Sequence, residues 1–146
     1  MTARAFDAIK AQLAAPNYAA LPVLWVEEYA APPTGPDGGM VPWVLAEVLF
    51  GPRDTHPGKA GARLKLQVGV LRCFVHVPKG SGAGVGLPLA DELTAALDLK
   101  DLSTSEPGEL VRLENASAIT GDDIASDLRG VYDITLVSVP FQYFHR

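Results

Sequence analysis

A single cysteine, Cys73, in 146 residues excludes an internal disulfide and any zinc or iron–sulfur site built on several thiolates. Histidine is almost as scarce. His56, His76 and His145 are too far apart for the helical or hairpin pairing that a metal site needs. There is no unbroken apolar run of the roughly 18 residues that span a bilayer, and Asp7, Lys10 and Gln12 interrupt the start where a signal peptide would be apolar. The expectation is a soluble chain without a membrane anchor. Positive charge is in deficit: 12 Lys and Arg face 17 Asp and Glu, a net charge of −5. Such a field repels phosphate backbones, so a nucleic-acid-binding domain is not expected. No Gly-x-Ser-x-Gly elbow and no His-Glu-x-x-His pair occurs.

Glycine and proline, by contrast, are abundant, with 14 and 12 residues. They point to long turns and loops and argue against a helical bundle. The length is that of one domain covering residues 1–146. From Ala3 to Ala15, Phe6, Ile9 and Leu13 fall on one helical face and Pro16 ends the pattern. Pro22 to Tyr29 reads as a strand, followed by a Pro/Gly loop and a second strand from Trp43 to Phe50, the pair forming a hairpin. From Arg63 to Val77 the residues alternate, but the apolar set changes phase near Gly69, which a β-bulge or double-sided burial would explain. Leu87 to Leu97 reads as a second helix with Pro88 in its first turn and Asp91 and Glu92 favouring its dipole. A short strand at Glu109–Leu113 and a long one at Val131–Tyr143 close the chain, with Pro140 expected at an edge, at a bulge or beyond the pairing. The order implies an α+β fold: a single antiparallel or mixed β-sheet with two α-helices packed on one face.

The glycine loop Gly80, Gly82, Gly84 and Gly86 lies between strand and helix, where backbone N–H groups can cradle phosphate. Its spacing fails the dinucleotide fingerprint, because the third glycine position falls on Val85, Leu87 or Leu89, and no Gly-Lys-Ser/Thr follows. The same glycines suit a tight connection that orders against another chain. Cys73 and His76, three apart in a strand, leave opposite faces and cannot act as nucleophile and base; Cys73 is expected in the core. Asp122 and Asp123 are adjacent and suit a turn better than a cation site. No catalytic, cofactor or metal residue is assigned.

Charge is segregated. Residues 51–82 hold Arg53, Lys59, Arg63, Lys65, Arg72 and Lys79 against Asp54 alone, while residues 87–133 hold eleven acids against Lys100, Arg112 and Arg129. A basic loop of one copy could dock on the acidic surface of the next, head to tail, and so close a ring. The candidate interface residues are Arg53, Lys59, Arg63, Lys65, Trp43, Lys79, Gly82 and Gly84.

Three stretches carry a resemblance: Ala5 to Leu13 before a Pro-rich strand entry; Phe74-Val-His-Val-Pro-Lys-Gly-Ser-Gly-Ala-Gly84 followed by Leu89-Ala-Asp-Glu-Leu93; and Tyr132 to Tyr143 with its Val-Pro-Phe ending. In this order the chain resembles the tail terminator, or tail completion, proteins of long-tailed bacteriophages and gene transfer agents. The resemblance implies a structural, non-enzymatic virion protein without a cofactor. It would form a hexameric ring, cap the tail tube, stop its polymerisation and join tail to head. Implied partners are further copies of the chain, the tail tube protein and a neck or head–tail connector protein, with DNA passing the channel unbound and no membrane involved. Its place would be the tail or neck of a virion assembled in the host cytoplasm. Thr34 to Met40 and Gly51 to Ala62 are the loops expected to meet the tube. The alternatives are another connector or tail-tube protein, or a small ligand-binding domain using the Gly80–Gly86 loop.

Overall fold

The structure, a computed structural model, describes residues 2–55, 65–80, 83–120 and 131–145. The elements run α1 (Thr2–Gln12), β1 (Val23–Trp25), β2 (Trp43–Thr55), β3 (Lys65–Pro78), α2 (Ala83–Leu97), β4 (Asp101–Ser103), β5 (Leu110–Leu113), β6 (Ser117–Thr120) and β7 (Tyr132–His145). The seven strands among the described residues join one sheet in the order β1-β2-β3-β7-β5-β4, and β6 pairs with β7 on the side that β5 also uses. The frame is β2-β3-β7. β3 pairs antiparallel with β2 along one edge and with β7 along the other over its full length.

Alternation sorts the side chains. Val44, Ala46, Leu71, Cys73, Val75, Val77, Val137, Val139, Phe141 and Tyr143 face the helices and pack with Ala5, Ile9 and Leu13 of the α1 region and Ala90, Leu93 and Leu97 of α2. This is the α+β arrangement with both helices on one face; of the two senses expected the sheet is mixed, because β1 runs parallel to β2, and it is larger than expected. The expected β1–β2 hairpin is therefore corrected. After Trp25 the chain makes a tight turn, with Glu28 donating its N–H to the Trp25 carbonyl, and then returns through a small hairpin bridged at Thr34 and Met40 before entering β2 in the same direction as β1.

The phase change near Gly69 is a change in which face of β3 carries the apolar residues, not a bulge in β3. A register shift between Phe50 and Arg53 places Gly51 and Pro52 as the bulge, on β2 rather than on β3. β3 itself alternates without a break. As far as Val70 its apolar set (Leu66, Val68, Val70) faces away from the helices, and from Leu71 on the set (Leu71, Cys73, Val75, Val77) faces them. Gly69 is required because Phe141 lies across it: an added Cβ would stand 2.4 Å from the Phe141 ring and 2.5 Å from the Leu49 carbonyl oxygen.

Pro140 is also corrected. It sits inside β7, opposite Val70, rather than at an edge. In a strand the N–H and C=O of one residue point to the same side. The Pro140 carbonyl accepts from Glu114, in the connection between β5 and β6 where no ladder continues, so the missing N–H costs no strand pairing. Helix α2 begins four residues earlier than expected. Pro88 consequently lies inside it, and Asp91 and Glu92 lie beyond the first turn, which holds no acid.

Candidate interaction surface

The sheet face away from the helices is built of cross-strand rows. Leu24, Leu45, Phe74, Leu136 and Ile119 form one row across five strands. The next is polar, with Glu47 and Arg72 ion-paired beside Ser138. Beyond it lie Leu49, Val70 and Pro140, then Val68 beside Gln142. Neither helix covers this face, and Leu49, Val68 and Ile119 are 43%, 40% and 50% exposed. Large apolar side chains in adjacent rows and in contact with water are the usual mark of a surface that another molecule covers.

One end of the face is closed by an aromatic stack. Tyr29 lies on Trp43 at 5.4 Å, Trp43 on His76 at 4.2 Å, and Tyr132 meets both rings edge-on. His76 Nδ1 donates to the Phe74 carbonyl at 2.8 Å, and burial pushes the His76 pKa down to about 4, so the ring is neutral. Trp43, expected as an interface anchor, is fully buried here. It holds Tyr29 and the returning chain against the sheet instead of offering surface.

A polar cluster that no spacing in the chain announces lies at the other end of the sheet, on the helix side. Glu109, immediately before β5, accepts from Arg4 Nε at 3.0 Å and Nη2 at 2.6 Å, from the Tyr143 hydroxyl at 2.6 Å and from Thr104 at 3.2 Å. Arg4, first among these donors, holds the Glu109 carboxyl down at about 2, while burial and the same carboxylate raise the Tyr143 hydroxyl to about 12. The cluster ties α1 to the ends of β5 and β7. Only its tertiary context identifies it, since Arg4 and Glu109 are 105 residues apart.

The other expected interface residues divide. Lys59, Arg63 and Gly82 lie outside the described residues, as do Asp122, Asp123 and His56. Arg53 occupies a register position opposite Gln67 beyond the β2 bulge, and half-buried Lys65 opens β3 opposite His145. Lys79 and Gly80 are exposed at the end of β3, Gly80 with φ of 93°. Gly84 and Gly86 are helical, so the strand-to-helix connection is shorter than the glycine pattern suggested, and Gly86 packs closely under Val77 and Thr135. Thr34–Met40 is an ordered tip: Gly35 donates to Gly39, the Gly39 N–H reaches Asp37, and Met40 is 46% exposed.

Cys73 and His76 do leave opposite faces, and burial raises the Cys73 thiol to about 12. Among the described residues no three His, Cys, Asp or Glu side chains gather. Three clefts, of about 650, 510 and 310 Å³, are lined by the α1 region with β1, by its C-terminal turn with α2, and by Arg4 with Glu106 and Glu109. None of the three is lined by Gly80, Gly84 or Gly86. Among the described residues no helix is long and apolar enough to cross a membrane.

No family model and no curated protein matches the chain. A solved structure whose name carries no activity superposes with a TM-score of 0.65 at 21% identity, over 98% of this chain and 95% of that one. A likeness at that identity shows a shared fold.

Proposed function

We propose that this chain is a structural subunit of a tail-terminator ring in a phage or phage-derived particle. In this reading copies associate head to tail into a ring, hexameric in the family that the sequence resembles. The ring covers the polymerising end of a tail tube and presents its other side to the neck or connector. The observation that carries the reading is the open sheet face: one layer of the fold lacks its cover and leaves Leu49, Val68 and Ile119 in water. Charge segregation along the sequence and the exposed Thr34–Met40 tip support it. The net charge of −5 suits a channel that lets DNA pass without holding it. The role assigned is assembly rather than catalysis, and its location is the tail or neck of the particle.

The test is polymerisation of a tail-tube protein from the same source as this chain, with and without it. Terminated tubes of reduced length bearing a ring at one end are expected. Tubes that elongate unchanged, without bound protein, would overturn the reading. Tube-like polymers of this chain alone would replace it with that of a tube subunit.

A further inference from the structure

We infer that the outer edge of β1 is a docking groove for an extended peptide segment of a partner protein. The segment adds to the sheet as a short strand, with apolar residues at alternate positions and a carboxylate beside Lys10. The inference is independent of the assembly role proposed above.

β1 ends the sheet order, and among the described residues it pairs with β2 alone. The ladder fixes which of its backbone groups are used. In the parallel register Val44 donates to the Pro22 carbonyl and Val26 to the Ala46 carbonyl, so Pro22, Leu24 and Val26 are the residues that bond to β2. The N–H and C=O of one residue leave the same side of a strand, so Val23 and Trp25 aim theirs outward. The Trp25 carbonyl is taken, because Glu28 donates to it at 2.9 Å. The Val23 N–H, the Val23 C=O and the Trp25 N–H remain without a partner among the described residues. They run donor, acceptor, donor over about 7 Å, at roughly 3.3 Å per residue. An extended chain carries the complement, acceptor, donor, acceptor, along one of its edges at the same spacing, which selects a peptide as the occupant.

A groove lies beside this edge. On the helix side, where Trp25 packs into the core and Val23 against it, a cleft of about 650 Å³ separates Ala11, Leu13 and Ala14 of the α1 region from Leu21, Val23 and Trp25. Residues of an added strand opposite Val23 and Trp25 take that same face, so alternate side chains of the segment enter the cleft. Apart from Lys10 and Tyr18 the lining side chains are apolar, which calls for apolar residues at those positions.

Lys10 sets the charge. Among the described residues it is the one charged side chain lining the cleft, and its ammonium lies 5.7 Å from the centre of the Trp25 ring, at the C-terminal end of β1. Its present partner, Glu28 at 3.0 Å, has a side chain 67% exposed. An ion pair so open to water is exchanged at little cost for another carboxylate. An acidic residue of the segment, placed beyond the one opposite Trp25, completes the match.

The experiment uses the full chain labelled with nitrogen-15 and two acetylated, amidated hexapeptides. These are Asp-Thr-Val-Thr-Val-Thr for antiparallel addition and Thr-Val-Thr-Val-Thr-Asp for parallel addition. One of them should shift the amide resonances of Val23 and Trp25 and slow their hydrogen exchange, with the amides of β4 unchanged. Methylating the amide nitrogens of its Val residues, or those of its Thr residues, should abolish binding in one case and leave it in the other, because alternate groups face β1. Lys10→Glu, which reverses the charge, and Val23→Pro, which removes an outward N–H that the β2 ladder does not use, should each weaken binding by about tenfold or more. Circular dichroism and the unfolding midpoint establish that each variant is folded; if Val23→Pro is not, Lys10→Glu and the methylated peptides carry the test. Resonances that move with neither peptide at millimolar concentration overturn the inference. So does binding that both methylated forms keep, or binding unchanged in folded Lys10→Glu. Val23 and Trp25 amides that are protected without peptide, and lose that protection on dilution as the mass falls to 15.5 kDa, would put a second copy on the edge and overturn it as well.

Discussion

Replacing Glu109 by Ala removes the acceptor of four hydrogen bonds at once. The consequences for the donors differ. Arg4 and Thr104 are partly exposed and regain water, but Tyr143 is fully buried, so its hydroxyl is stranded. An unpaired buried donor costs about 1–3 kcal/mol, and the lost hydrogen bonds to a charged group add about 1–2 kcal/mol, giving a destabilisation of about 3 kcal/mol. With an unfolding entropy of about 2.1 cal/mol/K per residue over 146 residues, that lowers Tm by about 10 °C. Chemical denaturation and thermal melts at neutral pH measure it. The decisive arm is the double variant: Tyr143→Phe should cost about 1 kcal/mol in the wild type but be neutral or stabilising beside Glu109→Ala, since it removes the stranded hydroxyl. A Glu109→Ala loss below about 1 kcal/mol, or additive single and double variants, would refute the reasoning.

Other outcomes follow from the same structure. His76 is neutral in the fold, with its pKa lowered from 6.5 to about 4, so the unfolded chain binds the extra proton between those values. Stability should fall by roughly 3 kcal/mol as pH drops from 6.5 through 4, and His76→Phe should flatten that slope in denaturant titrations. Glu109 acts at lower pH: its contribution is complete above 4.5 and is lost as pH falls toward about 2, so acid unfolding of Glu109→Gln should be less steep there. Gly69→Ala should destabilise by about 2 kcal/mol or more, read from the denaturation midpoint, because its Cβ would meet both a ring and a backbone oxygen. Leu99, 66% exposed with φ of 54°, should gain about 0.5–1 kcal/mol on replacement by Gly, since the left-handed backbone is relieved and most of the side chain is already in water. Reversing Arg53, Lys59, Arg63 and Lys65 together to Glu should abolish assembly with the unfolding midpoint preserved; unchanged assembly would sink the charge-docking idea.

The elements that carry a strong period were legible in the sequence. The alternation from Arg63 to Val77 and from Val131 to Tyr143 located β3 and β7, and the Ile9–Leu13 and Leu93–Leu97 spacings located both helices and their shared face. What escaped has a tertiary cause. β4 has three residues and β6 is exposed at all four of its positions, so neither carries a period to read. The parallel sense of β1 depends on the turn after Trp25, which no spacing encodes. Pro140 is tolerated in a central strand only because β5 and β6 leave a gap beside it. Trp43 reads equally as an anchor for a partner or as core, and its stack on His76 makes it core. At the candidate surface, the phase change at Gly69 was visible in the sequence, but its meaning was not. It marks where the apolar side of β3 passes from the open face to the helices.

The central claim, that this chain works as an assembling ring subunit, is tested most directly by native mass spectrometry of the purified wild type over a range of protein concentration and salt. The account predicts one closed oligomer of fixed copy number, loosened by high salt and absent from Val68→Glu. A protomer of 15.5 kDa under every condition, unchanged on adding tail-tube protein, would contradict it.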